Sequence, residues 1–236
     1  MTKKHAAQRL KWAIEHRHWS KEDWEKITWS DECAVKKDSD PRQVWVFRRQ
    51  NKREKYDPKN VREKTRDGGV SQMIWGCFCN DKLGPIAFFD GMVNSNVYIS
   101  ILQDELLPFF DALHADDISG IVFQQDNARP HTSKITKEFL ANSAVQHDFS
   151  TMEWPVNSSN MNPIEELWAY LKTELHRRYP DTQTLQGSPA IIRQILRERL
   201  MEVWWNISEG VLRNLIDSML CRVHALIAVK GWYTKY

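Results

Sequence analysis

An alternating segment with one carboxylate on its apolar face constrains the fold most strongly. Every second residue from Ile27 to Val35 is apolar except Asp31, which shares the face with Trp29 and Cys33. Period-two alternation is typical of a β-strand with one buried face. An ionised carboxylate on such a face is costly unless something pairs with it. The segment therefore predicts a core strand whose Asp31 is either a functional group or half of a buried ion pair.

The rest of the chain alternates between strand-like and helix-like patterns. Further strands are predicted at Met73–Cys79, Pro85–Phe89, Gly120–Gln125 and, more weakly, Phe149–Trp154, with a short one at Val44–Phe47. Apolar residues at helical spacing predict helices over residues 6–18, 20–24, 94–113, 133–140, 162–175 and 188–227. In the fifth of these, Asn162 is the expected cap and Pro163 lies in the first turn. This order indicates an α/β fold, with a mixed sheet covered by helices.

Composition excludes several classes of protein. The chain has 236 residues with 42% hydrophobic content, which suffices for one large domain. It contains no apolar stretch of about 18 residues, so we expect no membrane span. The first ten residues are basic and polar, unlike a signal peptide. The four cysteines are too sparse for a zinc site and are expected to be reduced core thiols of an intracellular protein.

The charge is small overall but unevenly distributed. The net charge is +2, yet residues 1–66 contain 19 Lys or Arg against 11 Asp or Glu. Within residues 41–66 the count is 10 against 3, and this basic run belongs to a polar segment, residues 36–70. Such a concentration either forms ordinary solvated surface or indicates a polyanionic partner such as nucleic acid.

Three carboxylates lie where separate elements can bring them together. Asp31 is on the first strand, Asp126 ends the strand 120–125, and Glu165 lies in the first turn of a helix. Carboxylate oxygens suit magnesium or manganese, and two such ions can clamp the attacking and leaving oxygens of a phosphoryl displacement. Each residue also has a structural alternative. Asp31 fits a core ion pair, Asp126 a turn, and Glu165 a capping box with Asn162.

Four short strings and the C-terminus carry a family resemblance. The strings are Trp29-Ser30-Asp31-Glu32, Trp75-Gly76-Cys77-Phe78, Gln124-Gln125-Asp126-Asn127 with Pro130-His131-Thr132, and Trp154-Pro155 leading to Asn162-Pro163-Ile164-Glu165. With these strings in this order, the chain resembles the catalytic half of a mariner-superfamily transposase of the DDE type. The closing Gly-Trp-Tyr-Thr-Lys-Tyr of residues 231–236 is similar to fungal members. The resemblance runs from about Arg9 to Tyr236.

The resemblance implies a ribonuclease H-like fold with a mixed five-stranded sheet flanked by helices. Its catalytic and metal-binding residues would be Asp31, Asp126 and Glu165, holding two Mg²⁺ ions, with Mn²⁺ as a substitute. The implied reaction is cleavage at transposon ends followed by transfer of the free 3′-hydroxyl into target DNA. Residues 36–70 would form a basic clamp loop inserted after the first strand, reaching a second subunit of a homodimer. A nuclear location follows from the likeness to eukaryotic elements.

Several basic and polar residues are candidates for contacting DNA. Asn127, Arg129 and His131 flank the second aspartate, where a purely structural role is the alternative. In the clamp segment the candidates are Arg48, Arg49, Lys52 and Arg53.

The expected domain division also follows from the resemblance. Residues 1–24 correspond to a helical linker, the remnant of a missing DNA-binding region that recognises transposon ends. Residues 25–236 correspond to the catalytic domain, with C-terminal helices in 188–236. We therefore expect that the chain does not select transposon ends by itself.

Two local departures from the family pattern affect the region before Glu165. Residues 158–161 read Ser-Ser-Asn-Met where members have Ser-Pro-Asp-Leu, a change expected to loosen the loop that presents Glu165. The spacing of 38 residues between Asp126 and Glu165 is about four longer than usual. This insertion, near residues 144–150, is expected in a loop.

Two other functions remain open from the sequence. One is a catalytically inactive, transposon-derived module that binds DNA or dimerises. The other is a ribonuclease H-like nuclease acting on RNA–DNA hybrids, against which the transposase strings argue.

Overall fold

A mixed five-stranded sheet forms the centre of the molecule, as predicted. The computed structural model describes residues 1–37, 69–234 and 236, so the predicted strand Val44–Phe47 and most of the clamp segment lie outside the described residues. The strand order is β3-β2-β1-β4-β5. The first three strands are antiparallel neighbours, and β4 and β5 run parallel to β1. The bounds are β1 Ile27–Lys36, β2 Ser71–Cys79, β3 Lys82–Phe89, β4 Ile121–Gln124 and β5 Phe149–Thr151.

One face of the sheet is covered by helices from the middle of the chain. These are α3 (Ser95–Ile101), α4 (Leu107–Ala115) and α6 (Lys134–Gln146), with the single-turn α5 (Arg129–Thr132) after β4. Their apolar side chains form a core cluster with Trp75, Phe123 and their neighbours. The single helix predicted over residues 94–113 is interrupted by a π-helical turn at Leu102–Leu106. Such turns shift the helical register by one residue, which a spacing pattern does not reveal.

The other face is covered by helices from both ends of the chain: α1 (Lys3–Glu15), α2 (Lys21–Glu25), α7 (Ile164–Arg178), α8 (Pro189–Trp205) and α9 (Glu209–Ala228). The helical region predicted over 188–227 consists of two helices, because α8 ends at Trp205. Asn206 bonds back to Glu202, and Ser208 is extended, so α9 starts afresh. Among the described residues, no helix combines the length and apolarity that crossing a membrane requires.

Three of the four cysteines match the expected core thiols. Cys77 and Cys79 lie on the same face of β2, as their spacing predicted, and Cys33 is buried on β1. Cys221 is exposed on α9, so the prediction was wrong for this residue. All four thiols are free.

Glycine is required at the point where β2 passes the first aspartate. Gly76 lies opposite Asp31 in the antiparallel register. A Cβ atom at Gly76 would lie 2.8 Å from Cη2 of Trp168 on α7 and 3.1 Å from Cη2 of Trp204 on α8. These two indoles stack with their ring centroids 5.3 Å apart, and Trp204 also donates to the Gly84 carbonyl at 2.8 Å. The bare backbone of Gly76 therefore lets both helices pack closely on the sheet.

We predict that Gly76→Ala destabilises the protein by about 1–3 kcal/mol, because the added methyl overpacks a fixed aromatic pair. The measurement is urea unfolding followed by tryptophan fluorescence. Gly210→Ala, in the first turn of α9 where a Cβ meets only a distant side-chain atom, is the matched control and should be neutral or slightly stabilising. Equal stability of the two variants would contradict the prediction, because it would show that Trp168 and Trp204 can shift to make room for the methyl group.

Candidate active site

The site lies where β4 separates from β1. The last paired residues of these parallel strands are Trp29 and Gln124. Asp31 comes two residues later on β1, and Asp126 comes two residues after Gln124. The carboxyl ends of parallel strands commonly open into a binding crevice. The divergence of the two strands therefore leaves both aspartates beside one crevice.

Ser30, next to the first aspartate, ties three chain segments together. Its hydroxyl donates to the Gln124 carbonyl oxygen at 2.8 Å, and its N–H donates to Oε1 of Gln124 at 3.3 Å. The Ser30 carbonyl in turn accepts from Nδ2 of Asn162 at 3.1 Å. All three residues are buried. These bonds fix β1, β4 and the segment before α7 relative to one another.

Asn162 caps the start of α7, as the sequence predicted. Pro163 already has helical dihedral angles, whereas Asn162 is extended. Oδ1 of Asn162 accepts from the Ile164 N–H at 3.3 Å, which is the bond that a capping side chain makes to the first turn. The capping-box alternative for Glu165 does not describe its surroundings, since its carboxyl group interacts with Asp31. One amide side chain thus orients both the helix and the acid that the helix presents.

The three predicted carboxylates line a common cavity of about 500 Å³. Asp31, Asp126 and Glu165 all contribute to its wall, together with Glu32 and Asn127. Within the described residues, however, no three Asp, Glu, His or Cys side chains lie close enough to enclose an ion as they stand. The structure brings the predicted acids into one crevice without closing a ligand cage around a metal.

Burial and mutual repulsion act strongly on Asp31. Burial, followed by the charges of Glu165 and Glu32, raises the pKa of Asp31 to about 8. Burial also raises the pKa of Glu165, although a hydrogen bond with Asp31 and the charge of Lys172 oppose the shift. The pair therefore favours a bound proton, or another source of positive charge, between the two side chains.

Asp126 shows the opposite behaviour because donors surround it. Its Oδ1 atom accepts from Nδ1 of His131 at 2.6 Å and from the Ala128 N–H at 2.8 Å. Burial opposes ionisation, but these hydrogen bonds outweigh it and lower the pKa of Asp126. For His131, burial alone would lower the pKa, but hydrogen bonds to Asp126 and Glu32 outweigh burial and raise the pKa to about 9. Asp126 is therefore the preformed anion of the crevice.

The flanking candidates occupy different environments. His131 is only 3% exposed and stacks on Tyr98 at 4.0 Å, so its contacts are with the protein interior. Asn127 donates to the Trp154 carbonyl at 2.7 Å, which ties the end of β4 to the segment after β5. Arg129 is exposed at the start of α5. The candidates Arg48, Arg49, Lys52 and Arg53 lie outside the described residues.

Sequence reasoning missed Glu32 and Tyr98. Glu32 lies on the opposite face of β1 from Asp31, and its Oε1 is 3.1 Å from Nε2 of His131. Tyr98 on α3 bonds to Gln125 through its hydroxyl at 2.7 Å. Strand alternation would have placed Glu32 on the far face, but nothing in the sequence indicates that His131 covers it.

Glu166 differs from Glu165 in its surroundings, because it forms an ion pair away from the crevice. Its carboxylate pairs with Arg222 of α9 at 2.8 Å, and that arginine is buried. Adjacent positions on a helix point in different directions, so Glu166 faces α9 while Glu165 lines the crevice. Glu166 thus stabilises the packing of α7.

The loop before α7 is firmly held, contrary to the expected loosening. The buried guanidinium of Arg9 donates to Oδ1 of Asn160 at 2.8 Å, to Oγ of Ser158 at 3.2 Å and to the Asn157 carbonyl. Arg222 donates to the Asn160 carbonyl at 3.1 Å. The longer spacing after Asp126 is not a loop either, because α6 reaches Gln146 and β5 starts at Phe149.

The fold and the acidic crevice define a class of protein: an α/β domain in which three carboxylates converge where two interior strands of a mixed sheet separate. Residues 26–186 match the family model of DDE superfamily endonucleases. The whole chain is 33% identical to the Tc1 transposase of Caenorhabditis elegans and 32% identical to the Tcb2 transposase of Caenorhabditis briggsae, covering 80% of each. The chain therefore belongs to the DDE superfamily endonucleases, within the Tc1/mariner transposases. The closer likeness to fungal members stays a prediction.

Solved structures confirm the ribonuclease H-like fold. The Mos1 transposase catalytic domain, in a structure with Raltegravir and Mg, matches with a TM-score of 0.67 at 12% identity and full coverage of this chain and 99% of that one. The Mos1 mariner paired end complex with Mn matches with a TM-score of 0.73 at 14% identity, over all of this chain and 65% of that chain. At these identities the likeness concerns the fold.

We predict that Asp31→Asn stabilises the metal-free protein. The folded-state pKa of about 8 lies above the unfolded value near 3.9. The free energy of unfolding therefore falls as the pH rises between these two values, because Asp31 ionises more readily in the unfolded chain. The gain should be about 1–3 kcal/mol at pH 8 and smaller at pH 5, measured by thermal unfolding in EDTA. Asp126→Asn is the matched control and should destabilise, since its pKa is lowered. Equal shifts in both variants would contradict this division.

We also predict that Asn160→Asp raises stability by about 1 kcal/mol. Burial lowers the pKa of Arg9, whose described partners are neutral oxygens, and a carboxylate would give it a charge-assisted hydrogen bond. Asn160→Ala, which removes the acceptor, should lower stability by about 1–2 kcal/mol. Thermal unfolding of both variants decides the matter. An aspartate variant no more stable than the alanine variant would show that Arg9 needs no anionic partner.

Proposed function

We propose that this chain cleaves DNA at transposon ends and transfers the resulting 3′-hydroxyl into target DNA, using Asp31, Asp126 and Glu165. The observation that carries the proposal is the convergence of these three acids, from three separate elements, on one crevice. Membership of the Tc1/mariner transposases supports the substrate class. The Mos1 structures supply named parallels, since they include a complex with the left transposon end and a strand transfer complex.

The donor set fits divalent metal ions. Three carboxylates supply hard oxygen ligands, and burial together with the charges of Glu165 and Glu32 raises the pKa of Asp31, so a cation beside it would be stabilised. Within the described part of the chain, both hydrogen bonds that Asp126 accepts fall on Oδ1, so neither of them occupies Oδ2. We propose that Mg²⁺, with Mn²⁺ as a substitute, binds these residues as two ions. Bound metal would supply Lewis-acid stabilisation of charge on the phosphoryl oxygens. Mos1 structures were solved with Mg and with Mn.

In the cleavage step, a water oxygen attacks the phosphorus of a phosphodiester while the bond to the 3′-oxygen breaks. The water loses a proton and the leaving 3′-oxygen gains one, so the products are a 5′-phosphate and a 3′-hydroxyl. In the transfer step that hydroxyl attacks a target phosphorus and displaces another 3′-oxygen. Asp31 and Glu165 lie together on one side of the crevice, where they can hold a proton between them. No covalent bond to the protein is needed.

The neighbouring segments have proposed roles that follow from charge. Arg129, exposed beside Asp126, is well placed to contact a phosphate of bound DNA. We propose that the basic segment of residues 36–70, with Arg48, Arg49, Lys52 and Arg53, contacts DNA and a second subunit in a homodimer. We also propose that the protein acts in the nucleus, in keeping with its similarity to transposases of nematodes.

The test is nicking of a supercoiled plasmid and of a transposon-end duplex by the purified chain with Mg²⁺ or Mn²⁺. We expect metal-dependent nicking that falls at least 100-fold in Asp126→Asn and Glu165→Gln, because each removes an anionic oxygen ligand. Glu166→Gln is the matched control, since Glu166 pairs with Arg222 away from the crevice, and it should keep most activity once its folding is verified.

Three results would overturn the proposal. Nicking that persists in EDTA or in Asp126→Asn would place catalysis elsewhere. Absence of nicking with either metal would favour the inactive DNA-binding or dimerisation module. Preference for an RNA–DNA hybrid over duplex DNA would favour the ribonuclease H-like nuclease.

A further inference from the structure

A fourth acid belongs to the site but lies on the other face of its strand. Asp31 faces α7, whereas Glu32 points toward α3 and α5 on the opposite side of β1. The Glu32 side chain is 15% exposed, so its carboxylate is largely withdrawn from water. A withdrawn carboxylate requires donors. Its Oε1 atom lies 3.1 Å from Nε2 of His131.

His131 links this acid to the second predicted metal ligand. One ring nitrogen faces Glu32, and the other lies 2.6 Å from Oδ1 of Asp126. Because each nitrogen is directed at a different carboxylate, the ring plane is defined by two fixed points. Rotation of the ring about its Cβ–Cγ bond would break at least one of these bonds. The orientation of the Asp126 carboxylate therefore depends on the position of Glu32.

The faces of the imidazole ring are restrained as well. The Tyr98 ring stacks on it with centroids 4.0 Å apart and planes at 30°. The Tyr98 hydroxyl donates to Oε1 of Gln125, and Nε2 of Gln125 is 3.5 Å from the His131 carbonyl. The backbone of α5 adds a bond from the His131 N–H to the Ala128 carbonyl at 3.0 Å. These contacts restrain the ring in the plane between the two acids.

We propose that Glu32 is a positioning residue that acts through His131 to hold the Asp126 carboxylate in the orientation that binds metal. The inference rests on the proposed function, since it assigns the reason for which Asp126 must be oriented. Glu32 itself then contributes length and an acceptor oxygen rather than a metal–oxygen bond. Outer partners of this kind typically change metal affinity by about 10–100-fold when removed.

Two substitutions separate the geometry of Glu32 from its charge. Glu32→Gln keeps the length and one acceptor oxygen but removes the charge. Glu32→Asp keeps the charge but is one methylene shorter and cannot reach His131 in the same position. A positioning role predicts that the glutamine variant binds metal within about threefold of the parent, whereas Glu32→Asp and Glu32→Ala bind about 10-fold more weakly.

The experiment is a calorimetric titration of each metal-free protein with Mn²⁺, accompanied by thermal unfolding to verify the fold. Glu153→Ala removes another acid near Asp126, in the adjoining cavity, and serves as the control for net charge. Plasmid nicking at saturating Mn²⁺ is the second readout. Rescue by higher Mn²⁺ in Glu32→Asp would support the inference, because the defect then lies in metal binding.

Each contrary outcome has a distinct meaning. Equal Mn²⁺ affinity of the parent and Glu32→Ala would overturn the positioning role, and so would a glutamine variant as weak as the alanine variant. The latter result would make Glu32 a direct ligand or a purely electrostatic contributor. If the parent binds Mn²⁺ no better than Asp126→Asn, the proposed function itself fails, independently of Glu32. Should Glu32→Ala not fold, the Mn²⁺ affinities of the glutamine and aspartate variants still test the positioning role. Equal affinities of these two variants would overturn it.

Discussion

The hydrogen bonds around Ser30 are the constraint on which the site depends. They join the main chain beside Asp31 to Gln124 on β4 and to Asn162 before α7. All three residues are buried, so breaking any of these bonds would leave a polar group without a partner at a cost of about 1–3 kcal/mol. Each bond also lies within two or three residues of a carboxylate, so any movement of one segment would displace an acid.

This rigidity is needed because the acids repel one another. The charge of Glu165 is, after burial, the largest cause of the raised pKa of Asp31. A looser arrangement would relieve the repulsion by letting α7 move away from β1. The stacked Trp168 and Trp204 pair against Gly76 opposes that movement from the apolar side. Packing and hydrogen bonding together therefore keep like charges closer than they would remain in water, a common property of functional sites.

The crevice divides its carboxylates into two kinds. Asp31 lies on an apolar face, and burial favours its neutral form. Asp126 accepts hydrogen bonds from His131 and from the Ala128 N–H just before α5, which favour its charged form. Environments that push two acids in opposite directions give a site one stable anion and one group that readily exchanges its charge state. Both behaviours follow from the groups that surround each carboxylate.

Much of this could be read from the sequence, and the failures have identifiable causes. The alternation around Asp31 predicted β1, because a strand with one buried face repeats every two residues. The position of the break between α8 and α9 was not predicted, because Ile207 continues the apolar pattern while the Asn206 side chain bonds back to the Glu202 carbonyl. Glu32 was missed because its importance arises from His131, which is distant in sequence. Patterns show which face a residue occupies, but not which residue covers it.

The site also depends on residues outside the part of the chain that the family model matches. That match covers residues 26–186, yet the loop presenting Glu165 is held by Arg9 before it and Arg222 after it. Arg9 also donates to the Gly231 carbonyl, so α1, the C-terminal segment and the loop meet at one buried guanidinium. A domain cut at the matched bounds would keep all three acids but lose both arginines. The cooperative unit that orients the acids therefore extends through both terminal regions of the described chain.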